Sequence, residues 1–158
     1  GGHDAQDVIL VADAEMHMSD DCIFCRIVDG DIPSRTVYED DAALAFLDAN
    51  PLTMGHTLVV PKDHYERLED IPAAEARDFY GALHEVVPAV EGALDAPATT
   101  VAVNNGEAAG QEVPHVHAHV VPRSASDGAG PIHALFDARP DPSDVELDDV
   151  ADAVADRL

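Results

Sequence analysis

VPHVHAHVVPR, residues Val113–Arg123, places a histidine at every second position. Because side chains alternate between the two faces of a β-strand, one face carries imidazoles and the other carries aliphatic side chains. The histidines are His115, His117 and His119. Alternate residues of a strand lie about 7 Å apart, so one metal ion can share two of these rings but not all three. A metal enzyme and a half-buried strand with incidental histidines both fit this pattern.

The composition predicts a folded cytoplasmic protein. The chain has 158 residues, of which 46% are hydrophobic, and this suffices for one domain with a sizeable core. No apolar run reaches the roughly 18 residues of a membrane span, and the N-terminal residues lack the pattern of a secretory signal. In a reducing compartment, Cys22 and Cys25 indicate a metal or redox pair more than a structural disulfide.

The charge is strongly acidic. Asp and Glu number 32 against 8 Lys and Arg, the formal net charge is -24, and Lys62 is the only lysine. Nucleic acid is therefore excluded as the expected partner, because phosphates are held by Lys and Arg. The acids are spread through segments that also carry apolar residues, which is not the pattern of a disordered tail. We interpret them as the surface of a protein from a halophile, because molar salt screens such charges within about 3 Å.

The chain is expected to have three parts. Residues 1–17 do not join the pattern that follows, and the pair His17-Met18 looks like a junction before a natural start, so we treat them as a candidate non-native extension. Residues 18–123 form the predicted domain. Residues 124–158 form a predicted C-terminal loop and helix.

Short strands surround one long helix in the predicted fold. After a Cys-bearing turn, TVYED and AALAFLD predict a hairpin, and HTLVVPK, TTVAVNN and the histidine segment predict three more strands. Apolar residues at spacings of three and four predict an amphipathic helix from Pro72 to about Leu94, which Pro88 should kink or divide. A second helix near the C-terminus is predicted, with Ser143 and Glu146 as a capping box. This order indicates an α+β fold with an antiparallel sheet.

Three separated blocks resemble the histidine-triad family of nucleotide-binding proteins. They are CIFCRI, FLDANPLTMGHTLVVPKDH and NNGEAAGQEVPHVHAHVVPR, which together span roughly Cys22–Arg123. The family signature, H-x-H-x-H followed by two apolar residues, corresponds to His115–Val121. The resemblance implies a homodimer with a continuous sheet and a purine nucleoside monophosphate on the triad face of each protomer.

The resemblance also implies roles for single residues. His117 corresponds to the nucleophile, His119 to the residue that hydrogen-bonds the phosphate and the leaving group, and His56 to a further phosphate-side histidine. Asp48 corresponds to a position that binds ribose hydroxyls. The remaining nucleotide-binding positions are Asn104, Gly110, Gln111 and Glu112. Other interpretations stay open: Asp48 as a turn cap, Asn104 and Asn105 as loop formers, and His56 as a plain strand residue.

Elementary chemistry supports a nucleophilic imidazole at this place. Near its unperturbed pKa of about 6.5 a histidine is largely uncharged and can attack phosphorus, and a histidine two residues further along the strand is within reach of the leaving group. Glu112 departs from the serine of the animal nucleotide-binding branch. A carboxylate beside a phosphate is repelled, so the phosphoramidate preference of that branch does not transfer directly.

Zinc is the metal that the resemblance implies. Related proteins with CxxC use it with the histidine of PKDH and the first triad histidine, which are His64 and His115 here. With Cys22 and Cys25 these residues would complete a closed, structural Cys₂His₂ site. A reduced pair without metal and a redox pair are the alternatives.

The predicted function is therefore a nucleotide hydrolase or nucleotidyl transferase. It would act on the α-phosphate of purine nucleoside phosphoramidates or dinucleoside polyphosphates through a nucleotidyl-histidine intermediate. The alternatives are a nucleotide-binding regulatory module with negligible turnover and a metal hydrolase that uses two triad histidines.

Overall fold

The computed structural model describes residues 21–158, and the predicted extension at residues 1–17 lies outside them. Two compact units divide the chain between Asp127 and Gly128. The helices and strands of the first unit are α1 (Ile23–Val28), β1 (Thr36–Glu39), β2 (Ala43–Leu47), β3 (Thr57–Pro61), α2 (Ala73–Leu94), β4 (Ala98–Val103) and β5 (Ala118–Arg123).

A five-stranded antiparallel sheet in the order β1-β2-β3-β5-β4 forms the first unit, which confirms the predicted α+β class. The predicted hairpin joins β1 to β2. Its turn is fixed by Asp40, whose Oδ1 accepts hydrogen bonds of 2.8 Å from the N–H groups of Ala42 and Ala43. Aspartate favours turns because its short carboxylate can bond nearby backbone N–H groups.

The two faces of the sheet carry different cores. Val116, Ala118 and Val120 are buried on the face that packs against α2, where Phe79 is also fully buried. The opposite face packs against α1 through a second cluster that contains Phe24 and both cysteines. The predicted alternation along the histidine segment is therefore confirmed on its aliphatic side, and the imidazoles belong to the face of α1.

The histidine segment is less regular than predicted, because β5 begins only at Ala118. The amides before it bond elsewhere: the N–H of His115 donates to the Val113 carbonyl, and the N–H of Val116 donates to the Tyr65 carbonyl, both at 2.8 Å. Of the three histidines only His119 lies within the sheet ladder. The first two stand in an extended approach to the strand, so their positions do not follow from ideal strand spacing.

Two local predictions are wrong. The predicted turn at the cysteines is the short helix α1, which Cys22 caps by accepting a hydrogen bond from the N–H of Cys25 at 3.5 Å. Of the two outcomes predicted at Pro88, division of the long helix does not occur, since α2 runs through Pro88 without interruption, and a kink there stays a prediction. Pro88 and His84, whose carbonyl loses its helical partner there, both lie on the exposed side of α2, where water can satisfy that carbonyl.

The second unit, Gly128–Leu158, holds a 3₁₀ turn (Ile132–Leu135) and the helix α3 (Asp144–Ala155). The capping box is confirmed: Ser143 Oγ accepts from the N–H of Glu146 at 3.2 Å, and the Glu146 carboxylate accepts from the N–H of Ser143 at 2.9 Å. The 3₁₀ turn interrupts a stretch predicted as loop, and the predicted domain limits stay a prediction. In residues 21–158 no helix combines the length and apolarity that crossing a bilayer needs.

Candidate active site and metal centre

Four side chains converge where α1 meets the start of the histidine segment: Cys22, Cys25, His64 and His115. His115 Nδ1 lies 3.3 Å from Cys22 Sγ and 3.5 Å from Cys25 Sγ, and His64 Nδ1 lies 3.3 Å from Cys25 Sγ. A tetrahedral zinc ion with Zn–S of about 2.3 Å and Zn–N of about 2.05 Å separates sulfur and nitrogen by about 3.6 Å. The observed spacings fit that requirement to within a few tenths of an ångström.

The protonation states also suit a metal. His115 Nε2 lies 2.8 Å from the Pro61 carbonyl oxygen, and a carbonyl only accepts, so this nitrogen carries the hydrogen and leaves the Nδ1 lone pair facing the sulfurs. The pKa of the Cys22 thiol falls to about 3, chiefly through its hydrogen bond with Cys25 and further through His115, against the effect of burial. A thiolate and a correctly oriented imidazole are the forms that bind zinc.

His117 follows this cluster and points to the same face. Its Nδ1 lies 2.8 Å from the carbonyl oxygen of His115, which can only accept, so Nδ1 donates and Nε2 is the nitrogen that carries the lone pair in the neutral ring. The Phe24 ring packs edge-on against the imidazole, with ring centroids 5.0 Å apart. The side chain is 8% exposed. Backbone and aromatic contacts together hold the His117 imidazole in one orientation.

His119 and His56 form the next contact along the same face. The rings of His117 and His119 lie 5.1 Å apart, and His56 Nε2 lies 3.0 Å from His119 Nδ1. Burial is the largest cause that lowers the pKa of His119 to about 4, and the neighbouring His117 and His56 lower it further. Burial also lowers the pKa of His56, against the opposing effect of Asp48. Both imidazoles are therefore neutral near pH 7.

Asp48 joins this group at its rim. Its Oδ1 accepts a 2.8 Å hydrogen bond from the N–H of Asn50, and its Oδ2 lies 3.7 Å from His56 Nδ1. The carboxylate thus fills the role of a turn cap, and one oxygen still faces the imidazoles. The predicted contact with ribose stays a prediction.

The loop before the histidine segment is fastened by its own side chains. Gln111 accepts from the N–H of Gly106 at 2.7 Å and donates to the carbonyl oxygens of Glu66 and Val113 at 2.7 and 3.1 Å. Asn105 accepts from the N–H of Leu68 and donates to Glu69, as expected of a loop former. These bonds fix the course of the loop towards the histidines.

The predicted nucleotide positions of this loop lie at its start and in its middle. Gly110 has φ +100°, which only glycine adopts readily, and the Asn104 side chain packs beside it. Glu112 is exposed. Within residues 21–158 no hydrogen bond joins Asn104, Gln111 or Glu112 to the three imidazoles, so their part in nucleotide binding stays a prediction.

Several groups at the site were not anticipated from the sequence. Phe24 contacts the rings of both His115 and His117, and the signal was its place between the two cysteines of CIFCRI. The carbonyl group of Pro61 bonds a ring nitrogen of His115, and the N–H of Leu52 bonds a ring nitrogen of His56. Backbone groups of this kind leave no trace in a residue pattern.

An antiparallel sheet that carries alternating imidazoles along β5 and the segment before it, beside a Cys-His cluster, defines a histidine-triad protein. Comparison with known families agrees: the HIT domain matches residues 29–126. The chain belongs to the HIT family.

Relatives are similar in sequence to about two thirds of the chain. An uncharacterised HIT-like protein of Methanocaldococcus jannaschii is 49% identical over 107 residues, which are 68% of this chain and 82% of that protein. An adenosine 5′-monophosphoramidase of Schizosaccharomyces pombe is 39% identical over 103 residues, 65% of this chain and 74% of that protein.

Solved structures agree in fold. A HIT-family protein of Bacillus subtilis has a TM-score of 0.79 at 38% identity and covers 87% of this chain and 96% of its own. A zinc-bound histidine-triad protein of Mycobacterium smegmatis has a TM-score of 0.67 at 40% identity, covering 78% of this chain and 86% of its own. HIT proteins thus include hydrolases that act on nucleotides and at least one that holds zinc.

Proposed function

We propose that this protein is a nucleotide hydrolase or nucleotidyl transferase. It acts on the α-phosphate of purine nucleoside phosphoramidates or dinucleoside polyphosphates, through an intermediate in which the nucleotide is bound to His117. The observation that carries the proposal is the hydrogen bond from His117 Nδ1 to the His115 carbonyl, because it makes Nε2 the nitrogen that holds the lone pair of the neutral imidazole and would attack. The phosphoramidase activity named for the Schizosaccharomyces pombe relative supports the substrate class.

The reaction has two displacements at phosphorus. His117 Nε2 forms a bond to the α-phosphorus while the bond to the leaving group breaks, and the leaving group departs with its electron pair. Water, or another acceptor in a transferase, then attacks the same phosphorus and releases His117. His119, whose ring stands 5.1 Å from that of His117, is placed to donate a hydrogen bond to the phosphoryl oxygens.

The nucleotide would be held by the positions that the resemblance assigns. Asp48 would bind ribose hydroxyls through the oxygen that does not cap the turn, and the loop with Asn104, Gly110, Gln111 and Glu112 would flank the phosphate. Gly110 allows the backbone to come close, which suits a site that is poor in Lys and Arg. The exposed carboxylate of Glu112 would disfavour anionic leaving groups.

Zinc is proposed as a structural cofactor. The donor set fits it, and zinc would tie the start of α1 to the segments that carry His64 and His115, with no open ligand position. His115 is occupied by this role and by Pro61, so it is not available to share a catalytic ion with His117. The zinc-bound relative from Mycobacterium smegmatis supports this assignment.

Two wider features belong to the proposal. A homodimer would extend the sheet through β4, since β4 is an edge strand and the side chain of Val101 on it is 44% exposed. The acidic surface would suit a salt-rich cytoplasm, where screening relieves the repulsion within a net charge of -24.

Turnover of adenosine 5′-phosphoramidate, with and without a chelator, tests the function. Chelator-resistant turnover, together with nucleotide trapped covalently on the wild-type protein and not on His117→Ala, is the expected result. Nucleotide binding without turnover of any phosphoramidate or dinucleoside polyphosphate would instead indicate a regulatory module. Loss of activity in chelator with immediate recovery on adding metal would indicate a metal hydrolase.

A further inference from the structure

A partly buried chain of three hydrogen-bonding groups runs from the loop after β2 to the triad. The N–H of Leu52 lies 3.1 Å from His56 Nδ1, and His56 Nε2 lies 3.0 Å from His119 Nδ1. The His56 side chain is 2% exposed, so both its nitrogens depend on these protein partners. Among these groups, only the backbone N–H of Leu52 has a fixed hydrogen-bond role, that of donor.

The donor role of the Leu52 N–H determines which nitrogens of His56 and His119 donate and which accept. A backbone N–H can only donate, so His56 Nδ1 must accept and the hydrogen of neutral His56 must sit on Nε2. His56 Nε2 then donates to His119 Nδ1, which must accept in turn. The single hydrogen of neutral His119 is therefore on Nε2, the nitrogen that does not face His56.

The opposite direction would need Asp48 as the acceptor at the far end. In that state His56 Nδ1 would donate to Asp48, His56 Nε2 would accept, and His119 would carry a hydrogen on Nδ1. The Asp48 oxygen lies 3.7 Å from His56 Nδ1, beyond hydrogen-bond range, whereas the Leu52 N–H lies at 3.1 Å. A hydrogen on His56 Nδ1 would also face that N–H, and two donors would be buried against each other.

We propose that the Leu52 amide, acting through His56, holds His119 as the neutral tautomer with its hydrogen on Nε2. His56 is then a positioning residue that does not touch phosphate, in place of the phosphate-side role that the sequence suggested. This inference rests on the proposed function for its catalytic meaning, but the tautomer itself does not.

The arrangement limits what His119 can do. A neutral imidazole can donate its Nε2 hydrogen to a phosphoryl or leaving-group oxygen, but giving that proton away would leave an imidazolate. The hydrogen bond from His56 keeps Nδ1 occupied, so a second proton has no free place on the ring. His119 therefore stabilises negative charge without protonating the leaving group, and a basic leaving group takes its proton from water.

Nitrogen-15 NMR of the histidine-labelled wild-type protein tests the tautomer directly near pH 7. We expect unprotonated Nδ1 and protonated Nε2 on both His56 and His119. A protonated Nδ1 on either ring, or a doubly protonated His119, would overturn the proposal. This measurement needs no turnover, so failure of the proposed function would not obscure it.

Two variants test the positioning role. His56→Leu removes the donor, so the His119 signals should move to the average of two tautomers, and kcat should fall about 10- to 100-fold, by analogy with the loss of a partner that orients a metal-bound histidine. KM should change little. His56→Gln offers an N–H where Nε2 stood and should recover most of the kcat and the His119 signature.

His84→Leu is the matched control, because the His84 side chain is 85% exposed on α2. It should leave both kcat and the His119 signals unchanged. A His56→Leu protein with the wild-type His119 tautomer, or a His56→Gln protein no better than His56→Leu in both readouts, would refute the positioning role. A confirmed tautomer with no turnover on any substrate would retain the tautomer inference and reject the enzyme.

Discussion

Replacing Cys25 with serine should lower the melting temperature by about 8–16 °C when zinc is in excess. The change removes one donor of a cluster in which Cys22, Cys25 and His115 are each no more than 5% exposed. These donors come from separate segments, as the separation of 93 residues between Cys22 and His115 shows. A bound ion therefore links α1 to the entry of β5 in the folded chain only.

The magnitude follows from binding to the folded state alone. At a free zinc concentration 1,000 times the dissociation constant, such binding stabilises the folded protein by about 4.1 kcal/mol. For a chain of this size, each kcal/mol shifts the melting temperature by about 2–4 °C. Multiplying the lost stabilisation by this shift per kcal/mol gives the expected fall in melting temperature. The calculation takes serine to abolish zinc binding and to leave the rest of the fold unchanged.

Thermal unfolding with and without chelator is the assay, paired with elemental analysis. Chelator should lower the melting temperature of the wild-type protein by a similar amount and should leave Cys25→Ser unchanged. His64→Ala should behave like Cys25→Ser, whereas the same substitution at the exposed His84 should not. Equal melting temperatures for Cys25→Ser and wild type in excess zinc, or a wild-type protein without metal after expression in zinc, would refute the structural cofactor.

Four further outcomes are expected. His117→Ala should abolish turnover but keep nucleotide affinity and zinc content, as measured by calorimetry and elemental analysis; near wild-type turnover would exclude the covalent route. Glu112→Gln should raise kcat/KM for substrates with anionic leaving groups by about fivefold relative to substrates with neutral ones, since two charges 4 Å apart in water interact by about 1 kcal/mol. If the ratio of the two kcat/KM values does not change, Glu112 does not repel anionic leaving groups. The melting temperature should rise from dilute to molar potassium chloride as the screening length falls from about 30 to about 3 Å, and equal values would contradict a salt-adapted surface. Burial keeps the pKa of His119 near 4 in the folded state, against about 6.5 in the unfolded state. The contribution of His119 to the free energy of unfolding is therefore complete above about pH 6.5 and is lost towards pH 4 by about 1.4 kcal/mol per pH unit. In urea unfolding, the free energy of unfolding of His119→Gln should depend less on pH by this amount, and a slope identical to that of the wild type would refute the burial argument.

The sequence predicted the sheet well where side chains alone decide the structure. The alternation of Val116, Ala118 and Val120 marked β5, the short apolar run LVV marked β3, and the spacing of apolar residues marked α2. It failed where backbone satisfaction decides. Pro88 did not divide α2, since the carbonyl that it leaves without a partner is on the exposed side, and exposure of one turn cannot be seen in a residue string.

The candidate site shows the same difference between features that side chains decide and features that backbone groups decide. The residue types placed the imidazoles and thiols on one face, but the role of each imidazole depends on which backbone group meets which ring nitrogen. The Pro61 carbonyl turns the Nδ1 of His115 towards the thiols, the carbonyl of His115 turns the Nε2 of His117 outward, and the N–H of Leu52 acts on His119 through His56. Three alternating histidines therefore have three different sets of partners although their side chains are chemically identical.

His115 contacts both the thiols and His117, and this has a consequence for the proposed catalysis. Its ring contacts the cysteines of the proposed zinc site while its carbonyl orients His117, so we expect a displacement of the ring to move the proposed nucleophile. A fully structural metal site should thus influence turnover indirectly, by letting the His115 backbone move when a ligand is lost. Cys25→Ser is expected to lower kcat modestly at temperatures well below its melting point while His117 keeps its tautomer, and the loss should grow on warming as the segment before β5 loosens. A catalytic metal would behave differently, because turnover would then vanish at every temperature and return when metal is added.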